Sequence, residues 1–123
     1  MLNVIIVEDS IFFADIITRI LKRNGLYVNC QVAATSATLR SNLNGRNWDI
    51  ILSDNVMQGF NALGALKVRN DSCKKTPFII VSEDVSEKEL KEAFANGCNA
   101  YLPKDKIEEL PDLIKQILKL TVI

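Results

Sequence analysis

Three acidic residues stand directly after two short apolar runs. Glu8 and Asp9 follow Val4-Ile5-Ile6-Val7, and Asp54 follows Ile50-Ile51-Leu52-Ser53. If the runs are neighbouring parallel strands, the carboxylates meet at their carboxyl ends, the edge where open α/β sheets bind ligands. Carboxylates gathered there repel: a pair about 4 Å apart costs roughly 4 kcal/mol at an effective dielectric near 20. A hard cation or a shared proton must offset that, and an all-oxygen set suits Mg²⁺. Two more groups fall on the same edge. Ser82 ends the run Ile79-Ile80-Val81, and Lys104 follows Tyr101-Leu102-Pro103. A carboxylate nucleophile, a metal, a hydroxyl and an ammonium make a workable phosphoryl-transfer site. The glycine-rich loop that cradles a nucleotide's phosphates is missing from this edge.

Positioning these groups takes a sheet, and the chain alternates strand-like and helix-like segments five times. Leu2 to Val7 is apolar and β-branched, as in a strand buried on both faces. Ser10 caps a helix to about Asn24, with Phe13, Ile16, Ile17, Ile20 and Leu21 as its apolar stripe and Gly25 at its left-handed end. Strand two is Tyr27 to Ala33. A weaker helix opens at Thr35 or Ser36 and ends near Gly45. Strand three is Trp48 to Ser53, helix three Asn61 to Arg69, and a polar loop runs from Asn70 to Thr76. Strand four is Phe78 to Ser82. Ser86 and Glu89 form a capping box for a fourth helix that buries Leu90, Ala93 and Phe94 and stops at Gly97. Ala100 to Leu102 is strand five, and Pro111 suits the first turn of the last helix. The pattern predicts an α/β fold, a flavodoxin-like doubly wound parallel sheet in the order 2-1-3-4-5 with helices on both faces. That order sets Asp54 beside Glu8 and Asp9.

Composition narrows the functions. The chain of 123 residues fits one domain, read as spanning residues 1–123, and its 48% hydrophobic content is that of a globular protein. Fifteen basic and fifteen acidic residues cancel, so no footprint for nucleic acid stands out. No apolar stretch is long enough for a membrane span, and no signal peptide is evident at the start. The odd set Cys30, Cys73 and Cys98 has no metal spacing and points to ordinary thiols in a reduced, cytoplasmic setting. The absence of histidine removes histidine-based triads and phospho-carriers within this chain.

In these motifs the chain resembles, along essentially its whole length, the receiver domain of bacterial two-component response regulators. The resemblance rests on Val7-Glu8-Asp9-Ser10, on Leu52-Ser53-Asp54 with Met57 and Gly59, on Ile79-Ile80-Val81-Ser82, and on Ala100-Tyr101-Leu102-Pro103-Lys104. It implies that Asp54 accepts a phosphoryl group from a phosphohistidine on a histidine kinase or histidine phosphotransfer protein. Glu8, Asp9, Asp54 and the Val56 backbone carbonyl would hold Mg²⁺. Lys104 and Ser82 would bind phosphoryl oxygens, and Tyr101 would follow Ser82 as a switch. The implied protein is a switch that phosphorylates and slowly dephosphorylates itself, not a turnover enzyme. A homodimer through helix 4, strand 5 and helix 5 is common among relatives. Three positions depart from the family pattern: Gln58 replaces the usual proline, Glu83 a small residue, and Asp105 the proline after Lys104. They motivate an alternative, a pseudo-receiver that dimerises or scaffolds without phosphorylation. Ile11 and Phe12 are surplus to the stripe of the first helix. They read either as scattered surface residues or as a docking patch for the donor's histidine-bearing helix.

Overall fold

The computed structural model describes residues 1–72 and 75–119. Cys73 and the apolar ending from Leu120 to Ile123 lie outside them. The elements in chain order are β1 (Leu2–Val7), α1 (Ile11–Arg23), β2 (Val28–Ala33), α2 (Ser36–Gly45) and β3 (Ile50–Ser53). A short hairpin follows, β4 (Val56–Met57) and β5 (Phe60–Asn61), then α3 (Ala62–Asp71), β6 (Phe78–Val81), α4 (Glu87–Ala95) and β7 (Ala100–Leu102). A 3-10 helix (Lys104–Glu109) leads into α5 (Leu110–Leu118).

Five parallel strands form one sheet in the order β2-β1-β3-β6-β7. This is the expected order 2-1-3-4-5 once the hairpin, which pairs only with itself, is set aside. The register sets Val7 opposite both Ala33 and Ser53, so β1 and β3 end level. Alternation along the buried strands sends side chains to two cores. Val4, Ile6, Ile50, Leu52, Ile79 and Val81 pack under α1 and α5. Ile5, Val7, Ile51, Phe78 and Ile80 pack under α2, α3 and α4. Because both faces are covered, the strands can be apolar throughout.

Local chemistry sets the helix ends as the sequence indicates. Ser10 Oγ accepts the Phe13 N–H at 3.2 Å, and Thr35, Asn61 and Ser86 cap α2, α3 and α4 in the same way. The capping box of α4 is complete: Ser86 Oγ takes the Glu89 N–H at 3.1 Å, and Glu89 Oε1 takes the Ser86 N–H at 2.9 Å. Gly25 closes α1 at φ +84°.

Several expectations need correction. Phe94 is 47% exposed, because α4 covers the sheet near its β7 edge and its stripe reaches past it. Ala93 is the only fully buried side chain of α4. β2 begins at Val28, leaving Tyr27 74% exposed. β3 begins at Ile50, and Trp48 is instead held by its indole N–H, which donates to the Asn42 carbonyl at 2.7 Å. α3 runs on to Asp71, and Ser82 lies just beyond β6. The hairpin and the 3-10 helix were not foreseen. Cys30 and Cys98 are free thiols. Burial pushes both thiols up from their ordinary pKa. Among the described residues no helix is long and apolar enough to cross a membrane.

Candidate functional site

Glu8 follows β1, Asp54 follows β3, Ser82 follows β6, and Lys104 comes two residues after β7. Adjacent parallel strands that end level bring all four to one edge. The Lys104 ammonium stands 3.3 Å from Glu8 Oε2 and 3.3 Å from Asp54 Oδ2, so one cation bridges two buried carboxylates. Glu8 is 2% exposed and Asp54 8%. The ammonium also sits over the Phe13 ring, 4.1 Å from its centroid. Carboxylates hold the lysine from one side and the negative face of an aromatic ring adds to its hold.

The remaining bonds fix the carboxylates. Glu8 Oε1 accepts the N–H groups of Asp9 and Ser10, both at 3.1 Å. Burial raises the Glu8 carboxyl above its ordinary pKa, and the charge of Asp54 adds to this; the Ser10 N–H and Lys104 pull the other way. The Asp54 N–H donates to the Val7 carbonyl at 2.9 Å, and Asp54 Oδ1 accepts the Asn55 N–H at 2.8 Å.

Asp9 stands apart from this pair. It is exposed, and its Oδ2 accepts the Gln58 N–H at 3.0 Å, tying the loop after β1 to the hairpin. Among the described residues no three acidic, histidine or cysteine side chains are grouped to hold a metal ion. The donor chemistry of Glu8, Asp9, Asp54 and the exposed Val56 is nevertheless all oxygen, which fits a hard divalent cation. Two buried carboxylates that share a single ammonium carry a net negative charge, which fits it as well.

Ser82 is buried, and its Oγ accepts the Asp84 N–H at 3.2 Å. Its carbonyl accepts the Tyr101 hydroxyl at 3.0 Å, so the tyrosine is turned inward and linked to the serine. Desolvation, and after it the charge of Asp105, raise the Tyr101 pKa. Of the departures, Gln58 supplies the N–H that holds Asp9, and Glu83 is exposed. Lys104 opens the 3-10 helix with every described peptide bond trans.

Two contributors were missed. Phe13 was assigned to the apolar stripe alone, and its spacing to Lys104 in sequence gives no hint of the ring contact. Asn55 is buried at 4% exposure beside Asp54, and its side chain bonds the Asp84 carbonyl at 2.9 Å and Glu89 Oε2 at 3.1 Å. A polar residue following a buried strand end was the available signal, since buried amides are nearly always bonded.

Comparison with known proteins agrees with this fold. The chain is 26% identical over 106 residues to the hybrid signal transduction histidine kinase G of Dictyostelium discoideum, covering 84% of this chain and 3% of that protein. It is 27% identical over 103 residues to the putative two-component response regulator ARR21 of Arabidopsis thaliana, covering 84% and 16%. The chain thus spans a small part of each of these relatives. Among solved structures, the receiver domain of the Francisella response regulator 1452 superposes with a TM-score of 0.83 at 26% identity, covering 97% of this chain and 98% of that one. The receiver domain of a Pseudomonas aeruginosa sensor histidine kinase, solved with a magnesium ion in its active site cleft, shares the fold at a TM-score of 0.79 and 19% identity, covering 96% and 98%. With residues 4–115 matching the model of the response regulator receiver domain, and with its acidic residues and lysine at the edge of a five-stranded parallel sheet, the chain belongs to the receiver domain family of two-component systems.

Proposed function

We propose that this receiver accepts a phosphoryl group on Asp54 from a phosphohistidine of a histidine kinase or histidine phosphotransfer protein. The observation that carries the reading is the Lys104 ammonium at 3.3 Å from both Glu8 and Asp54. An Asp54 carboxylate oxygen forms the new O–P bond as the donor's P–N bond breaks. The electron pair returns to the imidazole nitrogen, which takes up a proton. Slow hydrolysis reverses the modification: a water oxygen bonds to phosphorus as the Asp54 O–P bond breaks, inorganic phosphate leaves, the carboxylate is restored, and a proton passes to solvent. Glu8, Asp9, Asp54 and the Val56 carbonyl would hold Mg²⁺, which supplies charge neutralisation in a loose phosphoryl-transfer transition state. Asp9 Oδ1 would join them while Oδ2 keeps the Gln58 N–H.

Lys104 is already aimed at Asp54 and needs only to follow the charge outward onto a phosphoryl oxygen. Ser82 Oγ accepts from Asp84 at 3.2 Å, and its own proton is available to a phosphoryl group. The Ser82 main-chain carbonyl accepts the Tyr101 hydroxyl at 3.0 Å, so a shift of the Ser82 backbone toward a phosphoryl group would be felt at β7. A phosphoryl group brings ≈ −1.5 to −2 charge and three strong acceptors, enough to bias such a pre-existing equilibrium. The output is a changed surface of α4, β7 and α5, where Phe94 stands exposed, and pairing with a second copy would use that face.

Intact-mass measurement after incubation with a small phosphodonor tests the reading. The expected result is one phosphoryl addition that requires Mg²⁺ and is absent in Asp54→Asn. An unmodified wild type in the presence of Mg²⁺ would refute it and leave the scaffold alternative.

A further inference from the structure

Asn55 touches the acceptor with its main chain and α4 with its side chain. Its backbone N–H donates to Asp54 Oδ1 at 2.8 Å. Both hydrogens of its amide reach across to the next strand-to-helix connection, one to the Asp84 carbonyl at 2.9 Å and one to Glu89 Oε2 at 3.1 Å. Glu89 is already engaged, because its other oxygen takes the Ser86 N–H at 2.9 Å in the capping box. A single carboxylate therefore closes the N-terminal end of α4 and grips Asn55. Asp84, held by its carbonyl, in turn donates its N–H to Ser82 Oγ at 3.2 Å.

We propose that Asn55 is a positioning residue, a latch that ties the acceptor to the N-terminal end of α4 and holds the turn from Ser82 to Asp84 at rest. This rests on the reading of Asp54 as phosphoacceptor and Ser82 as its switch. Moving Ser82 Oγ toward a phosphoryl group stretches its bond from the Asp84 N–H unless the turn follows. The latch holds that turn. Phosphorylation acts on the other end of the same residue. It turns the Asp54 carboxylate into an acyl phosphate, whose carbonyl oxygen is a weaker acceptor for the Asn55 N–H than a charged oxygen is. The modification thus loosens the residue that restrains Ser82. The latch stabilises the resting state, and phosphate favours its release.

Apparent affinity for a phosphate mimic scales with the fraction of molecules already competent to bind it. One side-chain hydrogen bond of ordinary net strength, the least that the latch contributes, sets that fraction by roughly two- to tenfold. The experiment titrates the full chain with beryllofluoride and Mg²⁺, and follows backbone hydrogen exchange without the mimic. Asn55→Ala is compared with Ser86→Ala, which loosens the α4 cap without touching Asn55. The latch predicts beryllofluoride binding about two- to tenfold tighter in Asn55→Ala only, with faster exchange across residues 84–90. Asn55→Ala binding within error of wild type, weaker binding, or equal tightening in Ser86→Ala would each overturn it, since a merely structural role moves stability and leaves the mimic's affinity unchanged. If wild type itself takes no beryllofluoride, the phosphoacceptor reading fails separately. In that case exchange decides the physical tie: faster exchange at the Asp84 N–H, which lies outside the cap that Ser86→Ala loosens, confined to Asn55→Ala sustains it, and unchanged exchange there overturns it.

Discussion

Replacing Gly97 with alanine should cost far more than a surface turn substitution, because of what lies beside it. Arg69, in the last turn of α3, is buried at 7% exposure, and among the described residues it meets no carboxylate. Carbonyls satisfy its guanidinium instead: Thr76 O at 3.1 Å, Gly97 O at 3.3 Å and Asn96 O at 3.4 Å, together with Asn70 Oδ1. Asn96 and Gly97 lie at the C-terminal end of α4, whose dipole is negative, and that end offsets part of the charge. Burial nevertheless lowers the Arg69 pKa from its ordinary value. A Cβ on Gly97 would stand 2.5 Å from Arg69 Nη2, at φ +99°. The far end of a free arginine would yield cheaply; this one moves only by giving up its carbonyls. Backbone strain costs about 1–2 kcal/mol, and one lost bond from the charged donor costs about 1.5–3 kcal/mol. The expected total is about 3–5 kcal/mol, a large share of the ~5–15 kcal/mol that holds a domain folded. Urea midpoints for wild type, Gly97→Ala, Arg69→Met and the double variant form a cycle. Once the guanidinium is gone, Gly97→Ala should cost only its strain, about 1–2 kcal/mol. An equal cost in both backgrounds would refute the contact as the cause.

Three further outcomes follow from the site. Phe13→Leu keeps most of the apolar packing but removes the ring face under Lys104, so phosphate gain from a small donor should slow about fivefold; Phe13→Trp should restore it, and an unchanged leucine variant would leave the carboxylates as the lysine's only guides. The Ser86 backbone N–H, the Asn55 amide and the Ser86 side chain hold the Glu89 carboxyl below the usual carboxylate range. A depressed folded pKa means stability present above the unfolded pKa and lost as pH falls through the folded one, so urea midpoints should fall more in wild type than in Glu89→Gln between about pH 5 and pH 3. Ser86→Ala should cost about 1 kcal/mol by the same midpoints at neutral pH, the usual worth of an N-cap, and no loss would show that Glu89 alone closes the helix.

The parts legible in the sequence are those governed by local rules. Uninterrupted apolar runs announced strands covered on both faces, and Ser10 and Ser86 announced helix starts, because capping depends on a few adjacent residues; Thr35 or Ser36 stayed open for the second helix, and Asn61 was read as helical where it is the cap. Strand order came from the alternation of elements, and with it the meeting of Glu8, Asp54 and Lys104. The parts that failed depend on what lies across space. The spacing of Leu90, Ala93 and Phe94 fixes a common face but not how far the sheet extends beneath it, so Phe94 was wrongly buried. Two-residue strands carry no alternation, which hid the hairpin from Val56 to Asn61. Asp9 follows Glu8 in sequence, but its contact with the Gln58 N–H comes from the hairpin and could not be read from adjacency. Arg69 ended a helix on paper; only the fold sets carbonyls around it.

Arg69 and Asn55 hold opposite ends of the same element. α1 is seated by Ala14, Ile17, Ile20 and Leu21, and α5 by Leu110, Pro111 and Ile114, whereas α4 buries only Ala93 fully. Leu90 and Phe94 add only partial burial to Ala93, so α4 is seated by a shallower apolar stripe than α1 or α5. Its place is set by Asn55 and Glu89 at one end and by Arg69 with Asn96 and Gly97 at the other. The two kinds of attachment respond differently to a new charge. Shifting a helix seated by a deep apolar stripe must uncover that stripe, at about 25 cal/mol per Å². Exchanging one polar partner for another costs little net, because each bond lost is replaced by another or by water. A charge change at Asp54 thus bears first on polar contacts at the N-terminal end of α4, through Asn55, while the carbonyls of Asn96 and Gly97 hold the far end against Arg69.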